Sequence, residues 1–211
     1  MKLEADKRLN QWIKKEKAAS ELAGVVVDLW YNKSIELVLF RKKLFDKGIE
    51  LILENHAFAR KIIKNELTVH DTLQIAQIIS RLDIAHSKID LGRLGSEWLD
   101  EKIKGNKDCE DFIKRQLSEL IGVNGDERKG RDVVLFGFGR IGRIAARILI
   151  EKTGKGHQLR LRAIVVRGEL GQLQMNKRAE LLRNDSIFGP FRGTIQEDYD
   201  NKCLIINGQK V

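Results

Sequence analysis

The residues of this chain that can do chemistry are concentrated in Gly137-Phe138-Gly139-Arg140-Ile141-Gly142, three glycines spaced G-x-G-x-x-G. Ahead of them runs Asp132-Val133-Val134-Leu135-Phe136, with the composition of a parallel strand buried on both faces. Behind them Ile144, Ala145, Ile148 and Leu149 recur at helical spacing until Thr153-Gly154-Lys155-Gly156 ends the pattern. Leu161-Arg162-Ala163-Ile164-Val165-Val166 then supplies a second strand. A bare glycine triplet is weak evidence. Inside a strand–helix–strand unit of about 35 residues it predicts a phosphate cradle for a dinucleotide. Gly137 is expected to permit the tight turn out of the strand. Gly139 lets the backbone approach a pyrophosphate, and Gly142 lets the helix pack close to the sheet. The helix aims its unpaired N–H groups and the positive end of its dipole at the ligand. Arg140 and Ile141 open that helix, and a cation at Arg140 makes sense if an anion is bound beside it. Arg143, one turn on, is expected to be a solvated surface residue.

The end of the second strand bears on which dinucleotide this is. An Asp or Glu about 20 residues beyond the glycine loop is the usual partner of the adenosine ribose hydroxyls. Here the segment reads Val165-Val166-Arg167-Gly168-Glu169. An arginine suits a 2′-phosphate, because its guanidinium is always charged and bonds phosphate in two places. Glu169 reaches a ribose diol if the loop bends, and Arg167 as a solvated strand end has equal standing. Both NAD and NADP stay open as cofactors.

The elements that must position this loop divide at Gly122-Val123-Asn124-Gly125-Asp126-Glu127-Arg128-Lys129-Gly130, which has the glycines, Asn-Gly step and charges of a linker. Residues 1–122 are expected to be a helical extension, 123–131 the linker, and 132–211 the first part of a Rossmann domain. In the front region a helix is predicted after Ser34 through Ile35, Val38, Leu39, Ile49, Ile52 and Leu53. Others are predicted from Asp71-Thr72-Leu73-Gln74, from Ser87 with Asp90 three positions on, and from Asp108 to Leu120 with Gly122 as C-terminal cap. Trp12, Trp30 and Trp98 are expected to pack within or between helices, and Arg41-Lys42-Lys43 to lie on an exposed helix face. The fold class is thus α/β with an N-terminal all-α region, a helical bundle followed by a partial Rossmann NAD(P)-binding domain.

Composition narrows the remaining classes. The chain has 211 residues, 42% hydrophobic and 33% charged, with a formal charge of +9. Residues 1–130 carry a net +2 and residues 131–211 a net +7, so the front region lacks the basic bias of a nucleic-acid binder. No apolar run reaches the roughly 18 residues of a membrane span, and the start MKLEADKRLN lacks a signal core. Cys109 and Cys203 lie far apart with no CxxC spacing, which fits a reducing cytoplasm and argues against a disulfide framework or a zinc site.

Three segments resemble one family. Val134-Leu135-Phe136-Gly137-Phe138-Gly139-Arg140-Ile141-Gly142-Arg143 is similar to the N-terminus of glyceraldehyde-3-phosphate dehydrogenases. Asp185-Ser186-Ile187-Phe188-Gly189-Pro190-Phe191-Arg192-Gly193-Thr194 is similar to that family's Asp-Ser-x-His-Gly-x-Phe-x-Gly-Thr stretch. Leu204-Ile205-Ile206-Asn207-Gly208 is similar to the strand that closes its next hairpin. Residues 1–130 resemble the extension of a longer bacterial subclass. The resemblance implies a dinucleotide cofactor, a small phosphorylated aldehyde as substrate and a homo-oligomer. It also implies a cysteine nucleophile in Ser-Cys-Thr-Thr-Asn with a later histidine base, and no such segment occurs in these residues. Cys109, Cys203 and the four histidines match neither role, so no catalytic residue and no metal ligand is assigned. The chain reaches Val211 before the third strand and the catalytic domain, and a fragment or truncated product is expected. The alternative is a non-catalytic helical interaction module with a vestigial Rossmann segment.

Overall fold

Helix α1 runs from Lys2 to Lys33 and stops where Ser34 takes a positive φ of 54°. The Ser34 N–H still donates to the Trp30 carbonyl, while the Ile35 N–H reaches back to Leu29, which turns the chain into an extended strand. The computed structural model describes residues 2–63, 65–123, 130–154, 156 and 159–211. It divides into two compact units, Met1–Asp126 and Glu127–Val211. Of the expected linker, Asn124 to Lys129 lie outside the described residues, as do Lys155 and His157.

The first unit is mainly helical but not all-helical. Strand β1 (Glu36–Leu39) and strand β2 (Lys42–Lys43) form an antiparallel hairpin where one helix was expected through residue 53, and helix α2 (Ile49–Ala59) starts only afterwards. Helix α3 (Val69–Arg81) begins nearly a turn earlier than its apolar stripe implies. Its capping box is Thr68 with Asp71, the Thr68 hydroxyl accepting from the Asp71 N–H and the Asp71 carboxylate accepting from the Thr68 N–H at 2.9 Å. Strand β3 (Lys88–Asp90) pairs in parallel with β1, giving a sheet ordered β2-β1-β3.

Asp90 explains why the hairpin was hidden. Phe40 and Arg41 both have positive φ, a conformation that hairpins normally assign to Asn-Gly. Here the Asp90 carboxylate holds them from outside, accepting from the Phe40 N–H at 2.8 Å and the Arg41 N–H at 3.0 Å. The same carboxylate caps helix α4 (Leu91–Ile103) through the Gly92 and Arg93 N–H groups, so Asp90 rather than Ser87 starts that helix. Gly92 is required because a Cβ there would run into the Phe40 ring. Arg41 and Lys42 therefore sit on a strand turn, not on a helix face.

Helix α5 (Cys109–Gln116) is capped by Asp108 and ends before Leu117. Gly122 does not cap it. Its N–H instead donates to Asp83 beside the Ile84–Ile121 bridge, tying the segment to the exit of α3. Leu22, Val26 and Leu29 of α1 pack with Leu37, Leu39, Ile75, Ile79 and Phe112 in one core. Trp30 and Trp98 are buried as expected, the latter 5.6 Å from Phe112 between ring centroids. Trp12 is not. It is 51% exposed.

In the second unit β4 (Arg131–Phe136) pairs in parallel with β5 (Leu159–Val165), and helix α6 (Arg140–Glu151) makes the crossover. Helix α7 (Gln172–Arg183) follows, then the short pair β6 (Asn184–Asp185) and β7 (Gly189–Pro190). Strands β8 (Ile195–Asp198), β9 (Cys203–Ile206) and β10 (Gln209–Lys210) form an antiparallel sheet. Asn207 and Gly208, both at positive φ, make the β9–β10 turn. The core joins Ala146 and Ile150 of α6, Leu161 of β5, Met175, Ala179 and Leu182 of α7, and Ile195 and Ile206 of the hairpin. The strands are not buried on both faces. Val134 and Phe136 are 59% and 86% exposed, because the helices and hairpin of this unit cover only the side that carries Leu135, Leu161 and Ile164.

Candidate cofactor-binding site

The glycine loop joins β4 to α6 through a backbone that needs glycine at two of its three positions. Gly137 has φ +94°, disfavoured for side-chain-bearing residues, and its N–H donates to the Val165 carbonyl of the neighbouring strand at 2.8 Å. At Gly142 the constraint is space. A Cβ there would press into the Gly137 carbonyl oxygen, so the first turn of α6 can close onto the loop only without one. Gly139 differs from both. It is the N-cap residue, with φ −74° and ψ −166°, and nothing lies within 4 Å of where its Cβ would stand. The fold therefore does not need glycine there for space or for backbone conformation.

Helix α6 begins without a side-chain cap, and its first internal bond is the Arg143 N–H to the Gly139 carbonyl at 2.9 Å. The N–H groups of Arg140, Ile141 and Gly142 precede that bond and have no intrahelical acceptor. Arg140 and Ile141 are both exposed at this end, the arrangement expected of an anion site at a helix N-terminus.

Beside the loop opens a cleft of about 580 Å³, lined by Phe136, Gly137 and Phe138 at the end of β4 and by Val165, Val166 and Arg167 at the end of β5. Gln174, Lys177, Arg178 and Leu181 of α7 line its remaining wall. Of the residues singled out in the sequence, Gly137 and Arg167 line this cleft, while Arg140, Ile141 and Gly142 belong to the helix that starts next to it. Glu169 lies beyond the Gly168 turn, exposed and outside the cleft lining. Lys177 and Arg178 were missed. Their signal was present, since they share the i, i+3, i+4, i+7 face of Gln174 and Leu181, but only the fold turns that face toward the strand ends. Arg178 donates to the Gln174 carbonyl at 3.1 Å and to the Arg167 carbonyl at 3.4 Å, so it also fixes the strand-end loop.

Arg143 is not a solvated surface residue. Its guanidinium donates from Nε and Nη2 to Oδ2 of Asp185 at 3.2 and 2.9 Å, with side-chain exposures of 13% and 2%. Asp185 also accepts from the Ile187 and Phe188 N–H groups, the turn-shaping role expected of it. The Ile187 N–H first, and Arg143 next, hold its carboxyl down to about 2. Arg147, a turn further on, donates to the Leu182 and Gly189 carbonyls at 2.6 and 2.9 Å. Two arginines of α6 thus bind the segment that carries the Asp-Ser-x-x-Gly stretch.

Neither cysteine has the setting of a nucleophile. Burial pushes the Cys109 thiol up to about 11 and raises Cys203 as well. No cluster of metal-ligating side chains occurs among the described residues, and no helix is long and apolar enough to cross a membrane.

The family model described as the glyceraldehyde 3-phosphate dehydrogenase NAD binding domain matches residues 131–211, the second unit with its glycine loop. A glyceraldehyde-3-phosphate dehydrogenase-like protein of Pseudomonas aeruginosa is 44% identical over 191 residues, 89% of this chain and 41% of the relative. The second unit is thus similar to the glyceraldehyde-3-phosphate dehydrogenase NAD binding domain, and most of the chain is similar to this relative. A glyceraldehyde-3-phosphate dehydrogenase of Zymomonas mobilis is 34% identical over 79 residues, 37% of this chain and 21% of that enzyme. The Pseudomonas match covers far more than the family domain, so most of its matched residues lie ahead of Arg131 and the helical unit is shared with that relative. The chain spans about two fifths of its length. At the level the family domain supports, this is an NAD-binding, dehydrogenase-like chain.

Proposed function

We propose that residues 131–211 are the part of a phosphorylating glyceraldehyde-3-phosphate dehydrogenase that seats NAD or NADP. In this reading the cofactor's pyrophosphate lies over Gly139 against the N–H groups of Arg140, Ile141 and Gly142. The observation that carries it is the contrast within the loop. Gly137 and Gly142 are needed by the backbone, whereas Gly139 stands in open space at the head of an uncapped helix. Such a glycine has a use when a ligand must come close.

The bound nicotinamide would accept hydride from a phosphorylated aldehyde, with the thiol chemistry supplied by residues outside these 211. This chain's own residues position the cofactor. Arg143 and Arg147 hold α6 against the Asp185 turn, and Arg167, Lys177 and Arg178 offer positive charge to the far phosphate. That charge favours NADP as an accepted cofactor alongside NAD. The whole protein would act in cytoplasmic carbon metabolism as a homo-oligomer. Calorimetric titration of the chain with NAD and with NADP tests the reading, with saturable binding of a dinucleotide expected. Absence of heat and of any thermal stabilisation by both would remove it and favour the interaction module.

A further inference from the structure

Between the end of β5 and the start of α7 the chain runs through Arg167, Gly168, Glu169 and Leu170, and little holds it there. Strand β5 ends at Val165, and α7 starts at Gln172 with no side-chain cap from Gly171. Gly168 takes a φ of +81°, so the chain turns directly after Arg167. Leu170 packs partly against the second unit's core. Among the described residues, a single hydrogen bond reaches the backbone of residues 167–170. It comes from Arg178, whose Nη2 donates to the Arg167 carbonyl at 3.4 Å.

The other arm of that guanidinium stays on α7. Its Nη1 donates to the Gln174 carbonyl at 3.1 Å and to Gln174 Oε1 at 3.4 Å. Arg178 is therefore a clasp between a helix and the strand-end loop, a task that suits a planar fork of donors. Arg167 and Lys177 differ from it. Neither side chain makes a hydrogen bond or ion pair among the described residues, yet both line the cleft beside Arg178, and no carboxylate lines it with them. Like charges gathered around one cleft repel each other until an anion enters.

We propose that Arg178 is a positioning residue for recognition of the cofactor's 2′-phosphate. By holding the Arg167 carbonyl it fixes the direction in which Arg167 leaves the strand end, and that guanidinium then meets the phosphate. The proposal rests on the reading of this cleft as part of the dinucleotide site, and adds a residue that sets selectivity through a neighbour. Both Nη groups of Arg178 are engaged with α7 and the loop, which leaves the phosphate to Arg167 and Lys177. Without the clasp, Arg167 must be ordered at the moment of binding, and that cost falls on NADP alone. NAD has a hydroxyl in place of the phosphate and makes no use of the arrangement.

Arg178→Lys tests this, because lysine keeps the charge and gives up the fork. Calorimetric titration of the 211-residue chain should show NADP weakened about tenfold and NAD changed by less than about twofold, the loss of one preorganised charge-assisted contact. Arg167→Ala should weaken NADP by a similar factor. The double variant should be no worse than Arg167→Ala alone, since nothing is then left to position. Additive losses in the double variant would make Arg178 an independent charge, and equal losses for NAD and NADP would make it a purely structural residue. Either result overturns the proposal, as does an NADP dissociation constant that Arg178→Lys leaves unchanged. A parent chain that binds NAD but not NADP also overturns it and leaves the dinucleotide reading standing, whereas a parent that binds neither removes both.

Discussion

Arg143 and Asp185, 42 positions apart, form a buried ion pair with Nη2 2.9 Å from Oδ2, and this pair docks the helix that follows the glycine loop onto the Asp185-Ser186 turn. The Asp185 carboxyl is held down to about 2 from an ordinary 3.8, by the Ile187 N–H first and Arg143 next. A group whose folded value is depressed contributes stability that is complete above its unfolded value and lost as pH falls through the folded one. The second unit should therefore lose stability between about pH 4 and pH 2. Asp185→Asn should lower the melting temperature at pH 7 and flatten this acid limb, read by scanning calorimetry across that range. An acid limb identical in the variant would show that other carboxylates set it.

At Gly142 the constraint is steric and internal. Gly142→Ala puts a methyl against the Gly137 carbonyl and should cost about 1–3 kcal/mol, the usual range for overpacking. Hydrogen exchange of the α6 amides reports that loss locally. Protection factors equal to wild type would mean that the loop yields without strain.

The first unit has its own pH switch in His56. Its Nδ1 lies 2.7 Å from the Ile52 carbonyl and its Nε2 2.8 Å from the Thr72 hydroxyl, and burial lowers its pKa below 6.5. The neutral form is therefore the folded one, with Nδ1–H donating to the Ile52 carbonyl. Because the unfolded chain takes up the proton more readily, stability is full above pH 6.5 and falls as pH drops below it, by up to about 1.4 kcal/mol per unit. All three tryptophans lie before residue 99, so urea unfolding followed by fluorescence reads this unit alone. His56→Gln should abolish the slope between pH 7 and pH 5.5.

The strand-end cations should select the cofactor. Arg167 shares the cleft with Lys177 and Arg178. If it meets a 2′-phosphate, a charge-assisted bond of about 1.5–3 kcal/mol is at stake, or roughly ten- to a hundredfold in affinity. Arg167→Ala should then weaken NADP by that factor, leave NAD nearly unchanged, and show a difference that shrinks as salt rises. Equal dissociation constants before and after the substitution would return the side chain to solvent.

The glycine loop, the two parallel strands and the Asn207-Gly208 hairpin were legible because each is specified locally, by a turn residue or an uninterrupted apolar run. What escaped was specified at a distance. The β1–β2 turn at Phe40 and Arg41 has no glycine because Asp90, fifty residues on, supplies the acceptors. Arg143 looked solvated because its partner lies 42 positions away, and Lys177 and Arg178 became cleft residues only when α7 was laid beside the strand ends. Trp12 was expected to pack like its two counterparts, and nothing in its immediate neighbours distinguishes it from Trp30.

The proposal that this loop holds a dinucleotide rests on Gly139, and Gly139→Val tests it most directly. Valine is compatible with the extended backbone at that position and its Cβ meets no neighbour, so the free chain should still fold, with a loss of about 1 kcal/mol for the poorer N-cap. Titration calorimetry should show saturable NAD binding to the parent chain and at least a tenfold weaker dissociation constant in the variant, because the isopropyl group occupies the pyrophosphate's approach. Equal NAD affinity in parent and Gly139→Val chains would contradict the assignment of this loop as the phosphate cradle.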